Sequence, residues 1–551
     1  MREVKGYNKR LESLRSIRSS QLSTYRDLAD YHLAHRSRFL SSERNREPKR
    51  NTKQINNTSR RASRTLAAGM MAGITSPARP WFKLGPSDDN LREDPAVMEW
   101  LTEVERMMYA VFAASNVYNS LHTIYADLGV FGIGTLGVYR DFNDVIWTQP
   151  YPVGSYMLAA DGKNRIDTFY REYETTVGQL VKMFGIDQVS HHVKTAHEKG
   201  NFELPVNVVH LIEPNDKRRH GSPLAVDMEY SSVYYEVGKT TESDNNFLRK
   251  SGFKRFPLLA PRWEVTGEDI YASDCPGMIA LGDTKSLQLG ERRMYQALDK
   301  IGDPPLQGPI SMRSKLGDSI QRGQMIYTDG EGKIESVYGN HRPDLGAIVT
   351  VNDRTERRID EAFYVDLFLM LSQSDRRQIT AREVQEKHEE KLLMLGPVLE
   401  RLQYELLDPL VDVTFDIMQS AGVFPEVPDA LADSELSVEY VSILSQAQRL
   451  VTTGAVERTI EFAGNVAQIW PEARHKIKIT DAIDEYAHAM GTSPKIIRSD
   501  REVEGMVAAE QQAAQAAQAL ETGQQAANVA KTTSEVDVSD DNALAGLMRQ
   551  L

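Results

Sequence analysis

The longest periodic signal in the chain lies between residues 380 and 421. Leu392, Leu395, Leu399, Leu402, Leu406, Leu410, Val413 and Ile417 recur at spacings of three and four, which is one face of an α-helix. Val398, Leu407, Val411 and Met418 widen the apolar arc, and Glu400, Glu405, Asp408, Asp412 and Asp416 fill the rest. Thr380-Ala381-Arg382-Glu383 fits a capping box at the start, with the Thr380 hydroxyl on the Glu383 amide and the Glu383 carboxylate reaching back. A helix over this span would be roughly 60 Å long at ~1.5 Å per residue. Few ordinary single domains need that length, so it should pack against something large, copies of itself included. Pro397 and Pro409 lie inside it. Each removes a backbone hydrogen bond and favours a kink, so the pattern predicts at least one bend, or else two helices with a break.

Elsewhere the pattern changes several times. Residues 7–40 read as a helix through Leu11, Leu14, Ile17, Leu22, Tyr25, Leu28 and Leu33, followed by a polar, basic break at 41–53. A second helix runs to about Gly73, with small residues at Ala67, Ala68, Gly69 and Ala72 that allow close approach; Pro77 and Pro80 stop it. Asp94 followed by Pro95 predicts a new N-terminus, for a helix to about Ser115 and another to Leu128. Short alternating runs at 134–139, 165–173, 206–212, 225–230 and 256–259 predict strands, with a small helix near 176–184. Helices and then a sheet suggest an α+β body. Helical spacing returns over 276–301 and 345–371. Between them, a Gly-rich segment with turn signals at Asp329-Gly330 and Glu331-Gly332 predicts short strands and hairpins. Beyond Pro425 and Pro428 the chain reads as largely helical through Tyr440 to about Gly491. Residues 508–530 hold ten Ala and six Gln, either a symmetric helix bundle or a tail, and 532–542 read as a polar, acidic linker.

At 551 residues, 41% hydrophobic and 26% charged, the chain has room for two to four domains and a substantial core. A single cysteine, Cys275, excludes an internal disulfide and a multi-cysteine metal site and points to a reducing compartment. The first residues lack the apolar core of a signal peptide. The longest apolar runs fall far short of the ~20 residues of a membrane span. The net charge of −13 is unevenly spread: residues 1–80 carry eighteen Lys/Arg against six Asp/Glu, net +12, and the other residues sum to −25. A basic segment that includes Arg60, Arg61 and Arg64 on an acidic body suggests a polyanion on one side; the alternative is a solvated helix face. There is no phosphate loop of the Walker type and no G-x-S-x-G elbow. His191, His192 and His197 form the densest histidine group, but without a nearby cysteine they point to an exposed loop or helix before a metal site. Asp88-Asp89 and Asp540-Asp541 read as solvated turns. With no catalytic constellation, the expectation is a protein that is not an enzyme and needs no cofactor.

Two stretches carry a family likeness. The run from Leu66 to Phe82 (Leu-Ala-Ala-Gly-Met-Met-Ala-Gly-Ile-Thr-Ser-Pro-Ala-Arg-Pro-Trp-Phe) resembles a signature of the podophage head-to-tail connector, or portal, family. So does Thr380 to Val384 with Glu390, Leu395 to Leu399 and Glu405-Leu-Leu-Asp-Pro-Leu410. Residues 257–263 and 275–285 are similar too. One departure is Tyr271-Ala272, where the family pattern leads one to expect glycine after the tyrosine and therefore a differently shaped turn. The likeness spans roughly residues 10–500; the Ala/Gln segment lies outside it.

The resemblance implies a mixed α+β, mainly α subunit. Its parts would be a wing at 1–274 (N-terminal helices plus an α+β region), a first stem helix at 275–302 and a small α/β clip at 303–343. A second stem helix at 344–371, a tunnel loop at 372–379, a long kinked helix at 380–425 and a helical crown at 426–505 would follow, and then a helix or tail at 506–551. It implies a ring, usually of twelve copies, at one capsid vertex, forming a channel for packaging, retaining and ejecting double-stranded DNA. The clip, with Pro304, Pro305, Gln307, Arg313, Lys315 and Arg322, would dock terminase and then tail adaptor proteins. Major capsid and scaffold proteins would be further partners, with no membrane. The protein would be a virion component assembled in the host cytoplasm.

A DNA conduit must not hold its cargo, because each cation–phosphate contact adds salt-dependent affinity. An acidic body suits such a passage. Ser374, Asp375, Arg376, Arg377 and Gln378 are then the exception: the two arginines could make transient phosphate contacts, or pair with Asp375, Glu383 or a neighbour's carboxylates. Two other classes stay open on the residues alone, a non-channel helical adaptor or scaffold and a nucleic-acid-processing packaging enzyme.

Overall fold

In the computed structural model the described residues are 2–40, 53–88, 91–92, 94–237, 247–302, 304–310, 325–329, 333–336, 345–373, 394–431 and 436–441, with scattered positions from 462 to 512. The chain divides into two compact units, Met1–Gln448 and Arg449–Leu551. The first is mixed helix and strand, about half helical, with several small sheets. Calls on the masked residues, including the Ala/Gln segment, lie outside the description. In the second unit the Trp470 amide donates to the Val466 carbonyl, one helical turn.

Helix α1 (Arg2–Tyr31) and a 3-10 turn (Ala34–Phe39) replace the single helix expected over 7–40. His32 and Leu33 are buried at the junction, where continuing the helix would carry them out of the core. Then come α2 (Thr58–Ile74), β1 (Phe82–Pro86), α3 (Pro95–Ala114) and α4 (Val117–Phe131). The Asp94 carboxylate accepts from the Ala96 amide and Pro95 opens α3, as its sequence predicts. Gly69 of α2 faces Phe368, whose ring atoms lie 2.2 Å from where a β-carbon would stand. Close approach at the small residues is therefore real.

A five-stranded antiparallel sheet forms from β4 (Tyr156–Ala160), β5 (Ile166–Thr176), β6 (Pro205–Pro214), β7 (Tyr230–Glu236) and β8 (Arg249–Phe253), in that order. The strand expected at 225–230 is instead a 3-10 turn (Ala225–Asp227), with β7 starting at Tyr230. The first turns of α1 cover the sheet through Leu11 and Leu14 against Met157, Tyr170, Leu211 and Val233. The helices α5 (Val177–Phe184) and α6 (His191–Glu198) pack on Val208. A second sheet has the order β3 (Ile146–Tyr151), β2 (Thr135–Arg140), β9 (Leu258–Leu259).

Helix α7 (Pro276–Gly302) matches its expected span. The small sheet that follows has β10 (Leu306–Pro309) at its centre, parallel to β11 (Met325–Thr328) and antiparallel to β12 (Glu335–Ser336). The turn signals at 329–332 therefore do not join a simple hairpin, because β10 lies between the two strands. The helix expected over 345–371 is two: α8 (Leu345–Ala362) and α9 (Val365–Gln373). Tyr364 takes a left-handed conformation (φ 53°) between them, while Phe363 is buried. The last segment of the unit runs as helix over 394–402 (α10), a π turn at Gln403–Leu407 and α11 (Asp408–Ser420). Finally β13 (Leu436–Tyr440) pairs antiparallel with β1, a strand where the pattern reads as helix. Alternation there is weak: four of its five positions are half-buried.

Candidate docking and DNA-facing elements

The hairpin α7–α8 is antiparallel. Arg358 pairs with Asp283 at 2.6 Å, and Asn352 donates to Glu291 at 3.2 Å. Asn352 also fills the space over Gly290, where any β-carbon would collide with its amide oxygen. The base of the hairpin is fixed to the body. Gln288 accepts from the amides of Ile55 and Asn56, and Gly277 lies against the Val130 carbonyl. The Cys275 thiol donates to that same carbonyl at 3.3 Å, and burial pushes it up to about 12. Ala272, at the departure from the family pattern, meets Gly132, which is left-handed (φ 76°) and has no β-carbon to oppose the methyl group. Outward from Leu287 the apolar positions of α7 lose cover: Leu289, Tyr295, Leu298 and Ile301 are all exposed, as are Val349 and Val351 on α8.

The sequence-predicted site residues fall into three groups. Ser374, Asp375, Arg376, Arg377 and Gln378 lie outside the described residues, as does Glu383. The element leading to them is described: α9 is anchored by Phe368 on Gly69, and Phe363 meets His32 edge-on at 5.5 Å. Of the docking residues, Gln307 sits in β10 opposite Ile326 and Glu335, and the half-buried Pro304 and Pro305 precede the strand. Arg313, Lys315 and Arg322 lie outside the description. Ile310 and Ile326 give this small sheet an exposed apolar surface.

The third group is on α2. Arg61 pairs with Asp360 of α8 at 3.1 Å; burial raises the Asp360 carboxyl against the pull of that arginine. Arg60 and Arg64 are exposed and have no ion pair among the described residues. Much of the remaining N-terminal charge is used within the chain. Arg10 reaches Glu213 at 2.9 Å, Arg15 reaches Glu172 at 2.6 Å and Lys53 reaches Asp30 at 2.6 Å. Arg18 donates to the carbonyls of Gly154 and Tyr156, both at 2.7 Å. Arg36 lies 3.2 Å from Asp127, which is fully buried. The contrast between a basic first segment and an acidic body is thus partly an internal clamp of α1 onto the sheet.

Sequence reasoning missed the best-satisfied charged pair. Arg262 is 3% exposed and its guanidinium is held by Glu405 at 2.6 Å, by Asn164 and by the Asp269 carbonyl, while its own amide donates to Glu405 at 2.8 Å. Glu405 reads in the sequence as one of several surface charges on a long helix. The available signal was Pro409, four residues on, whose ring in a regular helix would strike the Glu405 carbonyl. Both residues border a half-open cleft of about 680 Å³, along with Tyr404, Asp408, Asp412 and Arg165. Of the histidines, His197 packs on Phe202 at 5.0 Å. Among the described residues no group of three His, Cys, Asp or Glu is placed to hold a metal ion, and no helix is long and apolar enough to cross a membrane.

The model of the family described as bacteriophage head to tail connecting protein matches residues 4–497. The portal protein of Salmonella phage epsilon15 is 43% identical over 542 residues, covering 98% of this chain and 97% of that protein. The probable portal protein of Bordetella phage BPP-1 is 41% identical over 542 residues, covering 97% and 96%. This chain belongs to the bacteriophage head to tail connecting protein family.

Proposed function

We propose that this chain is the subunit of a viral portal. Copies of it close into a ring at one capsid vertex, and the ring forms the DNA channel for packaging, retention and ejection. The observation that carries this reading is likeness to two phage portal proteins along nearly the whole length of both chains. The role is structural, as a virion component assembled with capsid and tail proteins. A closed ring needs a head-to-tail interface between two different surfaces of each copy. The uncovered apolar positions of α7 and α8 are the kind of surface such an interface would bury.

In this reading residues 1–274 are the wing, and α7 and α8 the stem. Residues 303–343 are the clip that meets terminase and then tail adaptor proteins, 372–379 the tunnel loop, and 380–425 and 426–505 the long helix and crown. Twelve copies follow the family's usual arrangement. Arg376 and Arg377 touch passing phosphates; exchanging both for alanine should lower DNA retention in filled heads, and unchanged retention would remove them from that role. Arg60 and Arg64, unlike Arg61, are available to a polyanion. Exchanging the pair for alanine should flatten the salt dependence of DNA binding by the isolated ring, by about 2 in log–log slope at ~0.9 per phosphate contact. Electron microscopy of the purified protein tests the main claim. A ring with a central channel is expected, and monomers or open filaments would overturn it.

A further inference from the structure

The helix that runs from residue 394 to residue 420 contains a π turn whose two ends bury different faces. Upstream, Leu395, Val398, Leu399 and Leu402 are in the core. An α-helix continued from that face would bury Leu406, Leu410, Val413 and Ile417, each three or four residues after the last. The observed helix drifts off that row. Leu406 and Leu410 are buried, but so are Leu407 and Val411, and farther on Thr414 and Met418 are fully buried while Ile417 is only partly covered. The distal core row is therefore Leu407, Val411, Thr414, Met418, one residue later than the α-helical row. The π turn supplies that extra residue: the Asp408 amide donates to the Gln403 carbonyl, five residues back.

Two registers are thus written into one segment. The α register would place Val413 and Ile417 where Thr414 and Met418 now sit. It would also relieve a defect of the observed register, because the Thr414 hydroxyl is buried without a hydrogen-bond partner. Something must hold the π register against that alternative, and the polar side of the helix shows what does. Pro409 cannot donate to Glu405 and would collide with its carbonyl in a regular turn. Arg262 grips Glu405, Tyr440 donates to Asp408, and Arg255 bridges Asp412 at 2.8 Å and Asp416 at 2.5 Å. These acids form one stripe at spacings of three and four, each held by a partner on another element.

We propose that the Gln403–Leu407 π turn is a register latch, held by Arg262 on Glu405 and by Pro409, which separates two packings of the 394–420 helix. Releasing the latch shifts the segment before the turn by one residue relative to the segment after it, about 100° of rotation and ~1.5 Å of rise. Glu405 and Asp408 both face the 680 Å³ cleft, so an occupant of that cleft would act on the latch directly. Cores are bistable more readily than they are continuously deformable, and a one-residue slip between two apolar rows is a discrete change of that kind. The inference stands on this helix alone and does not depend on the portal reading.

The test uses the full chain with a single thiol introduced as Ile417→Cys or, separately, Met418→Cys, and measures maleimide labelling. Cys275 is fully buried and stays in place. In the otherwise natural chain the thiol at 417 should label faster than the thiol at 418. Glu405→Gln and, independently, Pro409→Ala should shift the order towards faster labelling at 418 and protection at 417. Thr414→Val, which removes the unbonded hydroxyl from the π register, should widen the natural gap instead, and it is conservative enough to keep the fold. An unchanged order in both latch variants would overturn the proposal. Faster labelling at both positions together, the mark of local unfolding, would overturn it too, as would a narrowed gap in Thr414→Val.

Discussion

Helix α4 and the outer half of α7 are both rich in apolar residues, and the chain treats them in opposite ways. In α4, Val117, Leu121, Ile124, Tyr125, Leu128, Val130 and Phe131 are all fully buried. In α7 the last buried side chains are Leu287 and Gln288, and beyond them Leu289, Tyr295 and Leu298 are 46, 53 and 43% exposed. A helix apolar on every side belongs in a core, whereas a helix with an uncovered apolar stripe is incomplete on its own. The difference separates what the subunit finishes by itself from what it leaves for a neighbour. It also assigns the polar bracing: buried or half-buried ion pairs tie the body together, while the hairpin is tied to the body only at its base.

The largest effect should come from cutting that bracing. Arg262→Ala would leave Glu405 partly buried with no cation and three backbone or side-chain acceptors without their donor. Breaking a buried pair from one side costs about 3–5 kcal/mol. Denaturant unfolding should show that loss. A double variant with Glu405→Ala should cost less than the sum of the two single changes, since it removes the stranded charge. A cost below ~1 kcal/mol, the range of a surface pair, would break the contrast between braced body and bare hairpin.

That pair also marks where the sequence stopped being legible. Most helices of the body, from the α3 start at Asp94-Pro95 to the span of α7, could be read from caps and apolar spacing, because local chemistry sets them. The elbow at Tyr364 could not, since a left-handed tyrosine carries no local signal; burial of Phe363 against His32 imposes it. The rephasing at Glu405 was hidden for a related reason. Leu406, Leu410, Val413 and Ile417 fit a regular helix, and only Pro409 hinted that the real core row lay one residue later. Strand β13 was misread because its partner, β1, lies some 350 residues earlier, beyond the reach of any local pattern. Of the candidate site, Arg61 read as a surface cation but is committed to Asp360. Charge counting gives the sum along a segment and cannot show which members are already paired.

A somewhat smaller effect should be visible as pH dependence in the body. Asp127 lies on α4, and burial pushes its carboxyl up to about 6 despite Arg36 alongside. The ordinary value is 3.8, so the folded chain binds this proton more tightly than the unfolded chain. The stabilisation is fully present below about pH 4, falls as pH rises through 6 and is lost above it. A shift of two units corresponds to roughly 3 kcal/mol. Asp127→Asn cannot ionise, so it should gain stability relative to the natural chain as pH is raised from about 4 to about 7. Denaturant midpoints measured across that range would show it, and parallel pH curves would mean that Arg36 neutralises the site fully. No such dependence is expected from the exposed end of the hairpin.

The smallest effect on the subunit, and the one that sharpens the comparison most, should follow from Leu289→Ser with Leu298→Ser. Both side chains are nearly half exposed, and exposed substitutions of this kind usually change stability by less than about 0.5 kcal/mol. Equal denaturant midpoints for variant and natural chain are therefore expected at concentrations where copies stay apart. If a neighbouring copy covers the α7 stripe, the same two changes should remove apolar area from every interface of a closed ring, so a weak effect on one chain is multiplied around the assembly. Sedimentation should then show the variant shifted towards single chains under conditions where the natural protein assembles. A midpoint that falls by several times that amount would mean that the stripe already packs within the subunit. Intact assembly with an unchanged midpoint would mean that the neighbour's contact lies elsewhere, and the bare half of α7 would lose its claim to be the unfinished face.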